Sequence, residues 1–282
     1  MKIYINCVEG TMKNTRSSSR KTNENVSTSR KKEAKSMKKS GKKAGKKVGK
    51  VEKSFVKESS RPSAFRCNLA VVVGEIAKLK ARGDIKDCHI AAMMRTPFGC
   101  FFKAIFEDKI IPDHVGMIGQ VCRKIISGYS EKDDAFLIAG EVVKLTPDDV
   151  SVTFGLPKHG KKFSLQSAES VCDSEFMRRR FRGESSLKVS SLLAAVQSTV
   201  VEDGSEEDFA RCLILYMLAT VFFANSNRTI ALSFVPCVEN LDNIADVQWA
   251  TIIHEHLMRM VKKHHKDPFR TPGCVVQLLV SS

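Results

Sequence analysis

The residues of this chain best suited to chemistry are its histidines, cysteines, paired aspartates and clustered cations, and their spacing limits what each can do. His254, Glu255 and His256 form an HEH triplet. A zinc hydrolase needs two histidines four residues apart on one helical face, in the pattern HExxH. Residues two apart on a helix point about 200° from each other, so His254 and His256 cannot share an ion there. His264 and His265 are adjacent and no better placed. The spacing therefore predicts no metal site. The nine cysteines (Cys7, Cys67, Cys88, Cys100, Cys122, Cys172, Cys212, Cys237 and Cys274) form no CxxC pair. A zinc ribbon or redox dithiol lacks its geometry, and the pattern reads as reduced thiols filling a core. There is no GxSxG elbow and no GxGxxG or GxxxxGK[ST] loop to hold a nucleotide, so no cofactor is expected. A hydrolase site of Cys, His and Asp assembled from distant residues is the enzymatic alternative.

Two further clusters have both a chemical and a structural reading. Asp148 and Asp149 could ligate a metal or act in acid–base steps. They follow Thr146 and Pro147, however, an N-cap and a first helical residue, where carboxylates complement the helix dipole. In MRRRFRG, Arg178, Arg179, Arg180 and Arg182 either grip phosphate or an acidic partner, or line a solvated helix face.

The strongest signal is electrostatic. Residues 1–60 hold 18 of the 46 Lys and Arg but only 5 of the 31 Asp and Glu, a formal +13 against +2 for the remaining 222 residues. The dense part contains three tandem Lys-Lys-x-Gly copies, KKSG, KKAG and KKVG. With few large apolar side chains and a glycine every fourth residue, the arm is expected to be disordered when free. Lys31, Lys32, Lys38, Lys39, Lys42, Lys43, Lys46, Lys47 and Lys50 are the candidate site. Such lysines suit either an import receptor and a nuclear address, or weak, non-specific binding of nucleic acid by counterion release. Lysine is a point charge, and no aromatic residues interleave, which argues against base-specific recognition. A solvated tail that only aids solubility is the bland reading. Residues 11–30, rich in Ser, Thr, Arg and Asn, also have some character of an organelle transit segment.

These features need a scaffold, and the rest of the chain reads as mainly helical. Residues 68–82 predict a helix with Asn68 as N-cap and Gly83 as stop, its apolar residues at helical spacing. Helical stretches follow at 84–94 and 115–126, with Pro97 and Gly99 as breaks. Residues 135–145 read as two short strands around Gly140, forming a hairpin. A short helix after Thr146 ends at Gly155. A helix at 185–200 precedes Ser205-Glu206-Glu207-Asp208, which resembles a capping box opening a helix over 209–224. The apolar run 212–224, 13 residues, is too short to cross a bilayer and predicts a buried helix. Residues 229–235 are a short strand or extended loop. The last helix is expected over 243–266, with Val247, Ala250, Ile253, Leu257 and Val261 as its buried stripe. The apolar element 274–280 stops uncapped before Ser282, as in a shortened form of something longer.

Residues 144–163, KLTPDDVSVTFGLPKHGKKF, resemble the I-T-x-E-D-V-x-x-x-x-G-L-P-x-x-G segment of the plant mobile domain family, often labelled aminotransferase-like. TPFGCFF at 96–102 resembles that family's GFG-x-L-L segment. RCLILYMLATVFFANSN, DVQWATIIHEHLMRMVKK and PGCVVQLLV resemble its late run, with Gln248 where asparagine usually precedes Trp249. The similarity covers most of residues 66–280, in the family's order. It implies a transposon-derived protein with nuclear roles in genome maintenance or transposon silencing. Some relatives are fused to a SUMO-protease-like peptidase or a phosphatase-like domain, and neither signature stands in this chain. No lysine lies in a recognisable pyridoxal-phosphate context, and no catalytic residues carry over from the family.

The expectation is thus a disordered Lys-rich arm over residues 1–60 and a mainly α domain with a few short β-strands over 61–282. The expected function is that of a non-enzymatic nuclear protein of transposon origin, whose arm meets nucleic acid or an import receptor and whose body meets protein partners, with no membrane role. The alternatives are the hydrolase above and a decayed transposon reading frame without activity.

Overall fold

Helices dominate because the apolar residues recur at three- and four-residue spacing and must be covered together. The structure is a computed structural model that describes residues 68–111, 118–162 and 174–268. Helix α1 (Leu69–Ala81) buries Leu69, Val72, Val73, Ile76 and Leu79, the stripe expected from spacing. Asn68 precedes it but makes no side-chain cap; its N–H instead donates to the Thr220 carbonyl at 3.0 Å. Gly83, at φ +74, follows the helix end as expected. Helices α2 (Asp87–Met94) and α3 (Gly99–Phe106) are separated by a sharp turn. A side chain at Gly99 would come within 2.7 Å of the Met93 carbonyl, so the turn needs glycine.

After α4 (Ile118–Ser127) the chain forms a three-stranded antiparallel meander of β1 (Tyr129–Ser130), β2 (Ala135–Ile138) and β3 (Glu141–Val143). The expected hairpin is present, with Leu137 opposite Val142 across an Ala139-Gly140 turn whose two residues both have positive φ. Strand β1 was not legible, since two residues carry no alternation. Helix α5 (Pro147–Phe154) starts at a full capping box: Thr146 and Asp149 satisfy each other's backbone N–H groups. Gly155, at φ +69, closes it.

The second half comprises α6 (Glu175–Arg180), β4 (Leu187–Lys188), α7 (Val189–Thr199), α8 (Glu206–Met217), β5 (Thr229–Ile230), the short α9 (Val235–Glu239) and α10 (Trp249–His264). Strands β4 and β5 pair antiparallel, so the expected helix at 185–200 begins as a strand. Helix α8 continues as a π-helical turn, Leu218–Phe222, and every residue from 212 to 224 is buried, as the apolar run required. No helix among the described residues is long and apolar enough to cross a membrane. The last helix starts later than its pattern suggested. Residues Leu241–Asp246 form a 3-10 turn, because the Asn240 side chain accepts from the Asp242 N–H and the buried Trp249 indole donates to the Ile244 carbonyl at 2.8 Å.

Two hydrophobic clusters result. The larger centres on α8 and the π-turn, with Phe98, Phe101 and Phe154 packed at steep ring angles around Phe222 and Trp249 edge-on to Phe98. The smaller joins α4 (Cys122, Ile125, Ile126), Tyr129, Phe136 and Leu145 to the C-terminal half of α10 (Leu257, Met258, Val261).

Candidate functional site

Helix α6 carries three arginines in a row, and a helix turns each by about 100°, so they cannot share a direction. Arg178 points to solvent, while Arg179 and Arg180 reach Asp208 on α8, 28 or more residues away. Arg179 forks onto both Asp208 oxygens at 2.7 and 2.8 Å; Arg180 Nε donates at 2.6 Å and Arg211 Nη1 at 2.9 Å. The Asp208 side chain is only 4% exposed. Burial alone would push its carboxyl up, but the hydrogen bonds and charge of Arg179 and Arg180 overcome this and hold it at about 2. Around this centre, Glu175 takes Arg179, Glu202 takes Arg180 and Glu207 takes Arg211. Arg95, the C-cap of α2, bridges Glu207 and Asp242. Arg179 and Arg180 are therefore committed to Asp208, Arg179 from a side chain still 42% exposed, and Arg178 and Arg182 are also exposed.

The same geometry corrects the expected capping box at 205–208. Ser205 makes no cap; its hydroxyl donates to the carbonyls of Thr199 and Glu202 at 2.7 and 2.6 Å. Asp208 meets guanidinium groups because charge-assisted bonds outweigh a cap to a neutral N–H.

The aspartates at 148 and 149 have the structural role. Asp149 closes the capping box and Asp148 pairs with Lys158 at 2.6 Å. The loop they lead to, 155–161, runs back along the start of α10. Lys161 N–H donates to the Asp246 carbonyl at 2.6 Å, Ala250 N–H to the Pro157 carbonyl at 3.0 Å, and the Thr251 hydroxyl to the Lys158 carbonyl at 3.0 Å. The Ala250 bond satisfies one of the N–H groups that α10 would otherwise leave orphaned at its N-terminus. His159, Gly160 and Lys161 here line an open depression of about 540 Å³ with Ala245 and Asp246.

The histidines of the HEH triplet diverge as the helix geometry requires. His254 Nε2 lies 2.9 Å from the Leu145 carbonyl, whereas the His256 ring packs edge-on against Phe223. Burial, with the nearby Arg259 charge, lowers the His256 imidazole to about 4. No group of three or more His, Cys, Asp or Glu among the described residues could hold a metal ion. Cys212 and Cys237 are thiols pushed upward by burial, Cys237 to about 12. The hydroxyls of Tyr216 and Thr220, one turn apart at the π-turn, are buried without a hydrogen-bond partner among the described residues. The candidate lysines Lys31, Lys32, Lys38, Lys39, Lys42, Lys43, Lys46, Lys47 and Lys50 lie outside the described residues, as does the apolar element at 274–280.

Sequence reasoning singled out the arginines but missed Asp208 as their partner. The available signal was an aspartate one helical turn before the longest apolar run, a position that will be buried and therefore needs counter-charge. No curated protein and no solved structure matches the chain. Residues 116–279, more than half of the sequence and the stretch from just before α4 to beyond α10, match a family model described as a domain of unknown function, DUF8566, and the chain belongs to that family.

Proposed function

We propose that the protein is a non-enzymatic nuclear binding protein of transposon origin, related to the plant mobile domain proteins. Its lysine-dense arm engages nucleic acid weakly and without sequence preference, or an import receptor, and its helical body meets protein partners. The observation that carries this reading is the charge asymmetry: a formal +13 in the first 60 residues beside a body near neutrality. A polycation of that density gains affinity for any phosphate backbone by releasing counterions. The body supports a scaffold role, because its conspicuous chemical groups are spent on structure. Asp208 neutralises Arg179 and Arg180, Asp149 caps α5, and Asp148 holds Lys158. A nucleophilic thiol needs a depressed pKa, whereas Cys212 and Cys237 are pushed the other way.

Deleting residues 28–58 tests the reading. In a gel-shift titration the intact chain loses affinity by about three orders of magnitude between about 50 and 200 mM salt, the behaviour of six or more phosphate contacts. The deletion abolishes that binding and, in a tagged copy, nuclear accumulation. Undiminished or salt-independent binding after the deletion contradicts the nucleic-acid role.

A further inference from the structure

Strands β1, β2 and β3 lie in that order in their sheet, so the outer edge of β3 has no neighbouring strand among the described residues. The register shows which groups stand open there. Ala139 and Gly140 form a two-residue turn with positive φ, closed by Ile138 and Glu141 as the hydrogen-bonded pair. The next pair, Leu137 and Val142, is then of the non-hydrogen-bonded kind. The Leu137 N–H accordingly donates the other way, to the Gly128 carbonyl at 2.8 Å. Val142 therefore turns its own N–H and C=O away from β2, onto the open edge. The side chains of this pair stand side by side on the face opposite Phe136, 57% and 60% exposed. An open backbone edge beside an apolar pair is a template for a further strand.

We propose that this edge is the docking site of the chain's own segment 274–280, CVVQLLV, added beside β3 as a fourth strand. The segment lies outside the described residues. Six of its seven residues are Cys, Val or Leu and none is charged, so both faces of a strand built from it need cover. The route leads to the meander. Leu257, Met258 and Val261 of α10 share the smaller cluster with Tyr129 and Phe136, Lys262 Nζ donates to Asp134 at 2.9 Å, and the His265 ring lies edge-on to Tyr129. The described chain ends just beyond, at 268. Neighbouring strands lie about 4.8 Å apart, so the position beyond β3 is about 15 Å from β1. The six residues from 268 to 274 reach about 20 Å, enough to span it. The other edge, β1, has two residues and no exposed apolar side chain. The family match, 116–279, contains the meander and nearly all of the segment but none of α1, α2 and α3. Pairing in this way covers an edge that would otherwise recruit a strand from another chain.

Amide hydrogen exchange, read residue by residue in the full chain, tests this. Val142 and amides within 274–280 are expected to be protected together, and nuclear Overhauser contacts join Val142 to the segment. Removing residues 269–282 speeds Val142 exchange by about tenfold or more, as for an edge amide that loses its partner. The reciprocal variant Leu137→Ser/Val142→Ser changes two exposed side chains, keeps the wild-type melt and speeds exchange within 274–280 by about threefold or more. It decides the matter even where the truncated chain loses its cooperative melt. A Val142 amide that exchanges freely in the full chain, protection in a folded truncated chain, or unchanged exchange over 274–280 in the reciprocal variant overturns the proposal. So does Val142 protection that grows with protein concentration, the mark of pairing with a second copy.

Discussion

Asp208 concentrates more charge around one buried atom pair than any other residue described. Removing a buried partner is costly because the charges left behind have already surrendered their water. Asp208→Asn leaves Arg180, 10% exposed, with only Glu202, while Arg179 and Arg211 fall back on Glu175 and Glu207. We expect the substitution to cost about 3 kcal/mol, at the low end for a broken buried pair because those carboxylates remain. The urea midpoint measures it. The folded carboxyl at about 2 lies below the ordinary value of about 3.9, so its contribution is complete above that value and is lost as pH falls toward 2. The acid limb of a stability–pH curve is therefore flatter in Asp208→Asn than in the wild type.

At the scale of elements, the loop at 155–161 seats the start of α10. Gly160 sits at φ +135, and an added Cβ would fall on the Asp246 carbonyl, well inside contact distance. Both the backbone angle and the approach exclude a side chain, and the obstacle is main chain that cannot swing away. Gly160→Ala should cost at least about 2 kcal/mol. By contrast, Gly74→Ala on α1 meets nothing within 4 Å and should stabilise by about 0.5–1 kcal/mol through helix propensity. Paired thermal melts check the opposite signs. Thr146 and Asp149 start α5 through a local exchange of hydrogen bonds, and for that reason their role is readable from four consecutive residues. The seat of α10 on Pro157, Lys158 and Lys161 spans about 90 residues of chain and has no local signature.

The whole molecule is larger than the segment that matches its family. The match begins at residue 116, but α1, α2 and α3 supply Val72, Ile76, Met93, Phe98, Phe101 and Phe102 to the main cluster. Phe98 packs on Trp249 at 5.2 Å between ring centroids, and Phe101 on Phe154 and Phe222 at 5.4 and 5.9 Å. A chain cut to residues 116–282 would expose these rings, at a cost of about 1.5–3 kcal/mol for each large side chain uncovered, more than a marginally stable domain can lose. Such a fragment is expected to bind a hydrophobic dye and to lack a cooperative melt, whereas a chain starting at residue 61 keeps both its melt and its near-ultraviolet circular dichroism.

Several features were legible by themselves: the helical class, the buried run at 212–224, the stripe of α1, the capped start of α5, the hairpin at Gly140 and the divergence of His254 from His256. Each rests on a period or a cap set within a few residues, where backbone geometry leaves little choice. The concentration of cations ahead of residue 60 is likewise a property of sequence alone. Tertiary structure decided the rest. It turned Arg179 and Arg180 onto Asp208 rather than toward a ligand, freed Ser205 from capping and delayed α10 to Trp249. Those outcomes depend on which charges and carbonyls lose their water together, and burial assigns those partners only once the helices have packed.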